Sequence, residues 1–386
     1  MGRGEGMSAA DVIDTSVVHR ARSLRHALHR APELSGAEHA TAVRIAAEMR
    51  ALGAAEVVTG LGGSGVAAVF GRGDGGLLIR CELDALPIEE TGTPAWRSEL
   101  SGVAHLCGHD GHMAILHAVA QGLARTPPSG RVILLFQPAE ETGAGARAVL
   151  EDPRFAALGA RMAISLHNLP GLPLGAVALR EGPVNCASRG LRVRLSGRTA
   201  HASQPETGQS PGVALAALIP GLAGLSRDLP TDDPGFRLAT VTHARLGVPA
   251  FGVAPGEAEL YVTLRTLLDD RMADLEAEAR GVIAGAARGF GTEISVHEAF
   301  GHCVNAPEAV ALLEHAVDGL PRKDAAVPMR ASEDFGLFGS VMPSAMFFLG
   351  AGEGAPALHN PDYDFPDELI GIGAAIFLRA IATFEA

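Results

Sequence analysis

Residues 105–112 place three imidazoles, one thiol and one carboxylate within eight positions of the chain. Cys107 and His109 are separated by a single residue, so on a turn or an extended segment both side chains can point at the same ion. Thiolate and imidazole are ligands that suit zinc and its transition-metal neighbours. The alternative is a polar cluster at the start of a helix, capped by Asp110, because two ligands do not make a metal site by themselves. A metal site here needs further ligands from other parts of the chain.

Polar side chains also follow three apolar segments, at the point where each predicted strand ends: Glu82 and Asp84 after residues 77–81, Glu140 and Glu141 after 131–136, and His167 and Asn168 after 162–166. Such apolar runs predict buried strands of a parallel sheet. Open α/β sheets bind ligands at the carboxyl ends of their strands. Adjacent glutamates are often only a solvated pair, but on non-helical backbone they project in different directions. One can then bind a metal while the other reaches a metal-bound water.

These segments resemble those of the metal-dependent aminoacylase/carboxypeptidase superfamily, within it the amidohydrolase branch of hippurate, auxin-conjugate and N-acyl-amino-acid hydrolases. The resemblance covers nearly the whole chain, and its ordered motifs are specific together although each alone is weak. The motifs are residues 29–34, 80–87, 105–112, 136–141, 167–170, 197–203, 263–266, 332–335 and 358–361.

The resemblance implies a binuclear metal centre with two divalent ions, Mn²⁺ or Zn²⁺, held by five residues: Cys107, His109, Glu141, His167 and His359. It also implies that Glu140 is the general base. A metal lowers the pKa of bound water from about 15.7 towards about 7, which supplies hydroxide at neutral pH. A nearby carboxylate can take the proton and pass it to a leaving amine. Cys107 is then a deprotonated ligand and not a nucleophile.

Asp84 and Asp110 are predicted to accept hydrogen bonds that orient the ligand imidazoles. Three further histidines, His105, His112 and His117, receive no role. The last two fall on a helix predicted over residues 111–125 and are expected to be structural.

The first half of the chain has the pattern of an α/β sheet. Residues 11–183 alternate helical patterns, at 12–30, 38–52 and 113–125, with short apolar strands. Similar material returns after about residue 303, with a strand at 345–349 and a closing helix at 370–384. Because His359 lies in this last part, the metal prediction requires a discontinuous catalytic domain.

The segment between these parts has a different order of elements. A strand (191–195), a helix (211–225), two strands (237–245 and 259–266), a helix (271–290) and a strand (292–297) give βαββαβ, the ferredoxin-like arrangement. We therefore predict an α/β protein in which residues 1–185 and 304–386 form a zinc-peptidase-like, metal-binding catalytic domain. Residues 186–303 are an inserted ferredoxin-like domain, which the resemblance implies is a lid and dimerisation domain.

Three residues of the predicted insert are candidates for substrate contact. Arg265 ends a strand, and its guanidinium could bind a substrate carboxylate in bidentate fashion or form a surface salt bridge. Relatives usually have an asparagine thirteen residues earlier, where this chain has Gly252. We therefore expect a weaker requirement for a free carboxylate on the substrate. A histidine in a Ser/Thr-rich loop is usually solvated, but the resemblance implies that His201 of one subunit completes the active site of another and stabilises an oxyanion.

Composition excludes several classes of function. The formal net charge of −13 argues against nucleic acid or anionic membrane as a partner. No segment approaches the length of a transmembrane helix, and residues 1–7 lack the apolar core of a signal peptide, so a cytoplasmic protein is expected. Four cysteines in 386 residues predict no disulfide framework. The expected partners are a small amide substrate and a second copy of the chain, in a homodimer or tetramer.

We predict a metal-dependent amidohydrolase that cleaves the amide bond of an N-acyl amino acid or a similar small conjugate. A dipeptidase or carboxypeptidase with the same metals and base is the alternative closest in chemistry. A non-catalytic binding protein is the alternative from a different class. The general base Glu140 beside a complete ligand set argues against a pure binder, which has no use for such a base.

Overall fold

The computed structural model describes residues 13–325 and 327–385. The chain divides into two compact units. Unit 1 comprises Met1–Gly182, Val304–Ala326 and Asp334–Ala386, and unit 2 comprises Pro183–Cys303 and Val327–Glu333. Val12, where the sequence predicts the start of the first helix, and residues 1–7 lie outside the described residues.

Unit 1 is built on a seven-stranded sheet. Its strands are β1 (Glu56–Leu61), β2 (Gly65–Phe70), β3 (Gly76–Glu82), β4 (Val132–Gln137), β5 (Ala160–Leu169), β6 (Val177–Ala178) and β15 (Ser344–Gly350). Their order across the sheet is β1-β2-β4-β3-β5-β15-β6. The four central strands, β4, β3, β5 and β15, are parallel, while β1, β2 and β6 pair antiparallel with their neighbours. Every residue of β3, β4 and β15 is buried, which explains why the sequence shows continuous apolar runs instead of alternation.

The helices of unit 1 are α1 (Thr15–Arg30), α2 (His39–Ala51), α3 (His109–Arg125), α4 (Gly145–Glu151), α5 (Pro153–Ala157), α8 (Pro307–Ala316) and α9 (Glu368–Glu385). Helix α3 packs between α1 and α9, and nearly all of its residues are buried. It begins at His109, two residues earlier than predicted. The residue before it, Gly108, has φ of 93°, a left-handed conformation that favours glycine.

Unit 2 contains β8 (Ala187–Ser196), α6 (Gly212–Ala223), β10 (Arg237–Leu246), β12 (Glu257–Thr266), α7 (Asp269–Ala286) and β13 (Gly291–Phe300). Its antiparallel sheet has the order β10-β12-β8-β13. This is the predicted βαββαβ order, and its core contains Leu191, Val193, Leu260 and Val262 from the sheet with Leu218 and Ile283 from the helices.

The described residues also form four further short strands: β7 (Gly182–Asn185), β9 (Ala200–His201), β11 (Val253–Ala254) and β14 (Cys303–Asn305). Short 3₁₀-helices span Pro205–Thr207 and Asp334–Ser340. The predicted α/β class is confirmed. Within the described residues, no helix is both long and apolar enough to cross a membrane.

Candidate metal centre

The five predicted ligands of unit 1 come together beyond the carboxyl ends of the parallel strands. Their donor atoms form two groups, each with all members within 4.8 Å of one another: Cys107 with His109 and His167, and Cys107 with Glu141 and His359. Cys107 belongs to both groups, so its sulfur lies where it could be shared between two ions. The set of one thiol, three imidazoles and one carboxylate is of the type that binds zinc or neighbouring transition metals.

The atoms that could bind a metal lie close to one another in this cluster. Cys107 Sγ is 3.5 Å from His167 Nε2, and His359 Nε2 is 3.6 Å from Glu141 Oε2. The other oxygen, Glu141 Oε1, lies 3.9 Å from His109 Nε2. The carboxylate of Glu141 thus faces one histidine with each oxygen.

Backbone carbonyls hold two of the imidazoles with Nε2 facing the cluster. His109 Nδ1 donates to the carbonyl of Asp84 at 2.9 Å, and His167 Nδ1 donates to the carbonyl of Asn168 at 2.8 Å. A hydrogen bond from one ring nitrogen leaves the other free to bind a metal. His109 Nε2 is buried and has no hydrogen-bond partner, a costly state for a polar atom unless an ion or water binds it. The residues therefore fit a metal centre.

Burial and neighbouring charges shift the pKa values of the ligand side chains in different directions, lowering those of His167 and His359 and raising those of His109 and Cys107. Burial, reinforced by nearby His112, lowers the pKa of His167 to about 3, so this ring is neutral. Burial also lowers the pKa of His359. For the Cys107 thiol, burial and the neighbouring Glu141 raise the pKa well above its usual value. Cys107 would be a thiolate if it held a cation, with its proton released to solvent.

Two residues at the centre have unusual backbone conformations. Ala139, directly before Glu140, has φ of 51°, and His359 has φ of 66°. Non-glycine residues with positive φ carry backbone strain and cluster at functional sites. The turn at Ala139 is held by its N–H, which donates to Glu38 Oε1 at 2.8 Å. The conformation of His359 is fixed by a bond from its N–H to the carbonyl of Leu106 at 2.9 Å.

Glu140 lies beside the ligands and is only 6% exposed. Its Oε2 is 4.0 Å from His109 Nε2, and its carboxylate forms a further close group with His109 and Glu141. The two adjacent glutamates therefore both reach the centre, as the non-helical turn after β4 allows.

Asp84 contacts the centre through its backbone and its side chain. Besides the bond between its carbonyl and His109, its Oδ2 accepts hydrogen bonds from Ser35 Oγ at 2.7 Å and from the N–H of Glu141 at 2.9 Å. Asp84 thus links two of the candidate ligands, and its carboxylate lies 3.5 Å from His109 Nδ1.

The prediction that Asp110 orients a ligand imidazole is wrong. Its Oδ2 accepts hydrogen bonds from Arg25 Nε at 2.7 Å and from His29 Nδ1 at 2.8 Å. Both partners come from α1, and these cations hold the pKa of the buried carboxyl far below its usual range. Asp110 follows His109 on α3, and there its side chain turns towards α1.

Sequence reasoning missed a buried polar chain beside the ligands. His112, which has no role in the sequence prediction, has its Nδ1 2.6 Å from Glu82 Oε2 and its Nε2 2.5 Å from Asn168 Oδ1. Asn168 Nδ2 donates in turn to Tyr363 Oη at 2.5 Å. The sequence does carry one signal, because residues three apart on a helix share a face, and His112 stands three positions after His109. Their ring centroids are 5.7 Å apart.

The other two unassigned histidines are also buried. His117 Nε2 lies 3.3 Å from Glu48 Oε2 of α2. His105 has no hydrogen-bond partner at either ring nitrogen, and burial lowers its pKa to about 3. Neither residue belongs to the close groups of donor atoms that contain Cys107.

The candidate substrate residues lie in unit 2. His201 is exposed, and β9 places it opposite Val253 of β11. The carbonyl of Gly252 accepts a hydrogen bond from the N–H of Ala202 at 3.0 Å, so His201 and Gly252 belong to one small ribbon.

Arg265 is engaged within unit 2. Its Nη1 donates to the carbonyl of Arg330 at 2.7 Å and to Ser332 Oγ at 2.8 Å. Burial lowers the pKa of this guanidinium. Both bonds come from one terminal nitrogen, and both partners lie in the segment Val327–Glu333. The guanidinium is therefore oriented towards that segment.

Comparison with known proteins places this arrangement among hydrolases. A family model described as Peptidase family M20/M25/M40 matches residues 78–383. The hippurate hydrolase of Campylobacter jejuni is 31% identical over 365 residues, which cover 92% of this chain and 94% of that protein. The N-acetylcysteine deacetylase of Bacillus subtilis is 29% identical over 368 residues, which cover 92% and 94%.

A solved structure agrees with these matches. The crystal structure of a Bacillus subtilis protein, described as a dinuclear metal-binding peptidase of the M20 family, has a TM-score of 0.77 and 26% sequence identity. The similarity covers 96% of this chain and 98% of that one. The resemblance drawn from the sequence motifs is confirmed.

Proposed function

This chain belongs to peptidase family M20/M25/M40 and is a metal-dependent hydrolase of C–N bonds, and we propose that its substrates are N-acyl amino acids or similar small amide conjugates. The observation that carries the proposal is the meeting of Cys107, His109, Glu141, His167 and His359 with Glu140 at one edge of the sheet. Support for the substrate class comes from relatives named for hippurate and N-acetylcysteine.

In this proposal the five ligand residues would hold two divalent cations, and Cys107 belongs to both groups of ligand atoms. When bound, the cations lower the pKa of a coordinated water and polarise the amide carbonyl. The protein fixes the coordination through its backbone, since the carbonyls of Asp84 and Asn168 set the tautomers of His109 and His167.

Glu140 is the proposed general base. It lies within reach of the ligand cluster without being needed to complete either group that contains Cys107. Its carboxylate takes a proton from the attacking water and returns it to the nitrogen of the leaving amine. Because the side chain is nearly buried, few bulk waters compete for that proton.

The residues of unit 2 are proposed to recognise the substrate and its transition state. A guanidinium such as that of Arg265 suits a carboxylate, and the exposed imidazole of His201 suits a developing oxyanion. We propose that His201 acts on the active site of a second copy of the chain, in a homodimer formed through residues 186–303.

The test is turnover on a substrate panel, with metal content measured on the same sample. N-benzoyl and N-acetyl amino acids are expected to be hydrolysed, and chelation is expected to stop the reaction. Hydrolysis confined to dipeptides or longer peptides would replace the proposal with the dipeptidase or carboxypeptidase alternative. A protein that binds metal and these ligands yet turns over none of them would be a binding protein on this fold.

A further inference from the structure

Asn168 occupies a junction between three segments that carry candidate ligands. It directly follows His167 at the end of β5, and its side chain is fully buried. The first connection is within its own segment, where its carbonyl accepts the hydrogen bond from His167 Nδ1 at 2.8 Å. The backbone of Asn168 thereby sets which nitrogen of His167 faces Cys107.

The second connection is to the turn that carries Cys107 and His109. A Cβ atom built on Gly108, which stands between them, would lie 2.4 Å from Asn168 Oδ1 and 2.9 Å from its Cγ. The amide is therefore packed directly against the backbone of this turn. The same Oδ1 lies 2.5 Å from His112 Nε2, one turn further along α3, so the start of the helix is held by contact and by hydrogen bonding.

The third connection is to the loop that carries His359. Asn168 Nδ2 donates to Tyr363 Oη at 2.5 Å, and Tyr363 is fully buried four residues after His359. The N–H of Tyr363 donates to the carbonyl of Asn360 and closes a turn over residues 360–363, directly after His359. The phenol thus ties the His359 loop to the end of β5.

We infer that Asn168 is a positioning residue that sets the relative placement of Cys107, His109, His167 and His359. Its amide is suited to this task, since a carboxamide has both an acceptor for His112 and donors for Tyr363. The inference rests on the proposed function, because it requires that these residues hold metal. It adds a residue that contacts no ion and acts only through others.

A purely structural role is the alternative, and Asn305 provides a matched control for it. Asn305 is also a buried asparagine of unit 1, and its Nδ2 donates to the carbonyls of Arg180 and Met346. Its Oδ1 accepts from the N–H of Met346 at 2.8 Å. Asn305→Ala therefore removes at least as many buried hydrogen bonds as Asn168→Ala but leaves the ligand segments untouched.

The experiment measures the affinity for Zn²⁺ by competition with a chelator, in the full-length wild type and in the variants Asn168→Ala, Asn168→Asp, Tyr363→Phe and Asn305→Ala. Asn168→Ala is expected to bind Zn²⁺ about 10- to 100-fold more weakly, the usual loss when a residue that supports metal ligands is removed. Tyr363→Phe is expected to lose about three- to tenfold, because one hydrogen bond is deleted. Asn168→Asp is expected to bind Zn²⁺ with an affinity within about threefold of wild type, since a carboxylate of the same shape accepts hydrogen bonds from both His112 and Tyr363.

Two further readouts separate positioning from stability. The melting temperatures of the metal-free proteins should fall for both Asn168→Ala and Asn305→Ala, whereas only the former should lose affinity. With Co²⁺ bound, the thiolate-to-metal absorption band should shift in Asn168→Ala and stay unchanged in Asn305→Ala. Tyr363→Phe removes a single oxygen and provides the affinity test if Asn168→Ala does not fold.

Equal losses of affinity in Asn168→Ala and Asn305→Ala would overturn the inference, as would affinities of Asn168→Ala or Tyr363→Phe within about twofold of wild type. Either result leaves the proposed function standing as long as the wild type binds two ions. A wild-type protein that binds no divalent ion would overturn both.

Discussion

Glu140 and Glu141 are neighbours in sequence with different expected roles. Glu141 faces His109 and His359 with its two oxygens and forms a close group with Cys107 and His359, while Glu140 Oε2 lies 4.0 Å from His109 Nε2. This difference in contacts favours Glu141 as the ligand and Glu140 as the base.

We predict that Glu140→Gln keeps both metal ions and loses nearly all turnover, at least about a hundredfold, because the proton acceptor is removed while the ligands remain. Metal content and turnover are measured on the same preparation. Glu141→Gln is the control and should lose metal. Loss of metal in Glu140→Gln with retention in Glu141→Gln would mean that the two roles are exchanged.

A second prediction concerns Gly252 and the recognition of a substrate carboxylate. An added Cβ at this position meets no atom within 4 Å, so Gly252→Asn introduces an amide without a clash in unit 2. We predict that the wild type discriminates weakly between N-acyl amino acids and their carboxamides, and that Gly252→Asn discriminates more strongly. The reason is that glycine has no side-chain amide, so a substrate without the acid leaves no protein group unpaired at position 252 of the wild type. In Gly252→Asn the same substrate would leave the new amide without a hydrogen-bond partner. The measurement is kcat/KM for each pair.

A wild-type preference for the acids of about a hundredfold or more would contradict this prediction. Such a result would show that Arg265 alone recognises the carboxylate. Equal discrimination by wild type and Gly252→Asn would show that residue 252 does not contact the substrate.

At the scale of elements, apolar runs predict the parallel strands because those strands are buried on both faces. The order of elements in unit 2 is predictable for a different reason. Its strand β12 alternates between residues packed on the helices, such as Leu260 and Val262, and residues on the open face, such as Tyr261. Continuous and alternating apolar patterns in the sequence thus indicate two kinds of sheet.

Contacts between distant elements cannot be predicted in this way. Asp110 binds Arg25 and His29, which lie 85 and 81 residues earlier in the chain. His112 binds Glu82, 30 residues earlier. Residue type suggests that these groups are important, but only the packing of α3 against α1 and the sheet determines which partner each one meets.

The contact between α1 and α3 leads to a prediction of how the free energy of unfolding depends on pH. Burial opposes the charge on His29, but Asp110 and Glu90 outweigh it and raise the pKa to about 9, from the usual 6.5. Because the pKa of His29 is higher in the folded state than in the unfolded state, its protonation stabilises the fold. This stabilisation is fully present below about pH 6.5 and is lost as the pH rises through about 9. The contribution is about 3 kcal/mol in total.

We therefore predict that the difference in free energy of unfolding between wild type and His29→Gln is largest at about pH 6 and shrinks towards about pH 9.5. Urea unfolding across this range, with both proteins in the same metal state, measures it. The other charged groups that face His29 are Arg25, Glu90 and Asp110, and they are present in both proteins. A difference that is constant or grows with pH would contradict the prediction.

At the scale of the whole molecule, the sequence indicates a discontinuous protein because His359 lies after the ferredoxin-like segment. Unit 1 does collect segments from both ends of the chain. The assembly is a separate question, since it depends on contacts between copies. His201 is the residue through which the predicted homodimer can be tested.

We predict that His201→Ala loses at least about a hundredfold in turnover with normal metal content, because an oxyanion donor is typically worth this much. Mixing His201→Ala with Glu140→Gln should restore part of the activity once subunits exchange. In the mixed dimer, one site combines an intact Glu140 with the intact His201 of the other chain. No recovery despite demonstrated exchange would show that His201 acts within its own chain or has no role.

The central claim is that five residues of unit 1 hold two divalent ions, with Cys107 common to both. The measurement that tests it most directly is the number of divalent ions bound per chain in wild type, Cys107→Ala and Cys186→Ala. Cys186 is a buried cysteine of unit 2 and serves as the control. The account predicts two ions in wild type and in Cys186→Ala, and fewer than two in Cys107→Ala. Two ions retained as tightly by Cys107→Ala as by Cys186→Ala would contradict it.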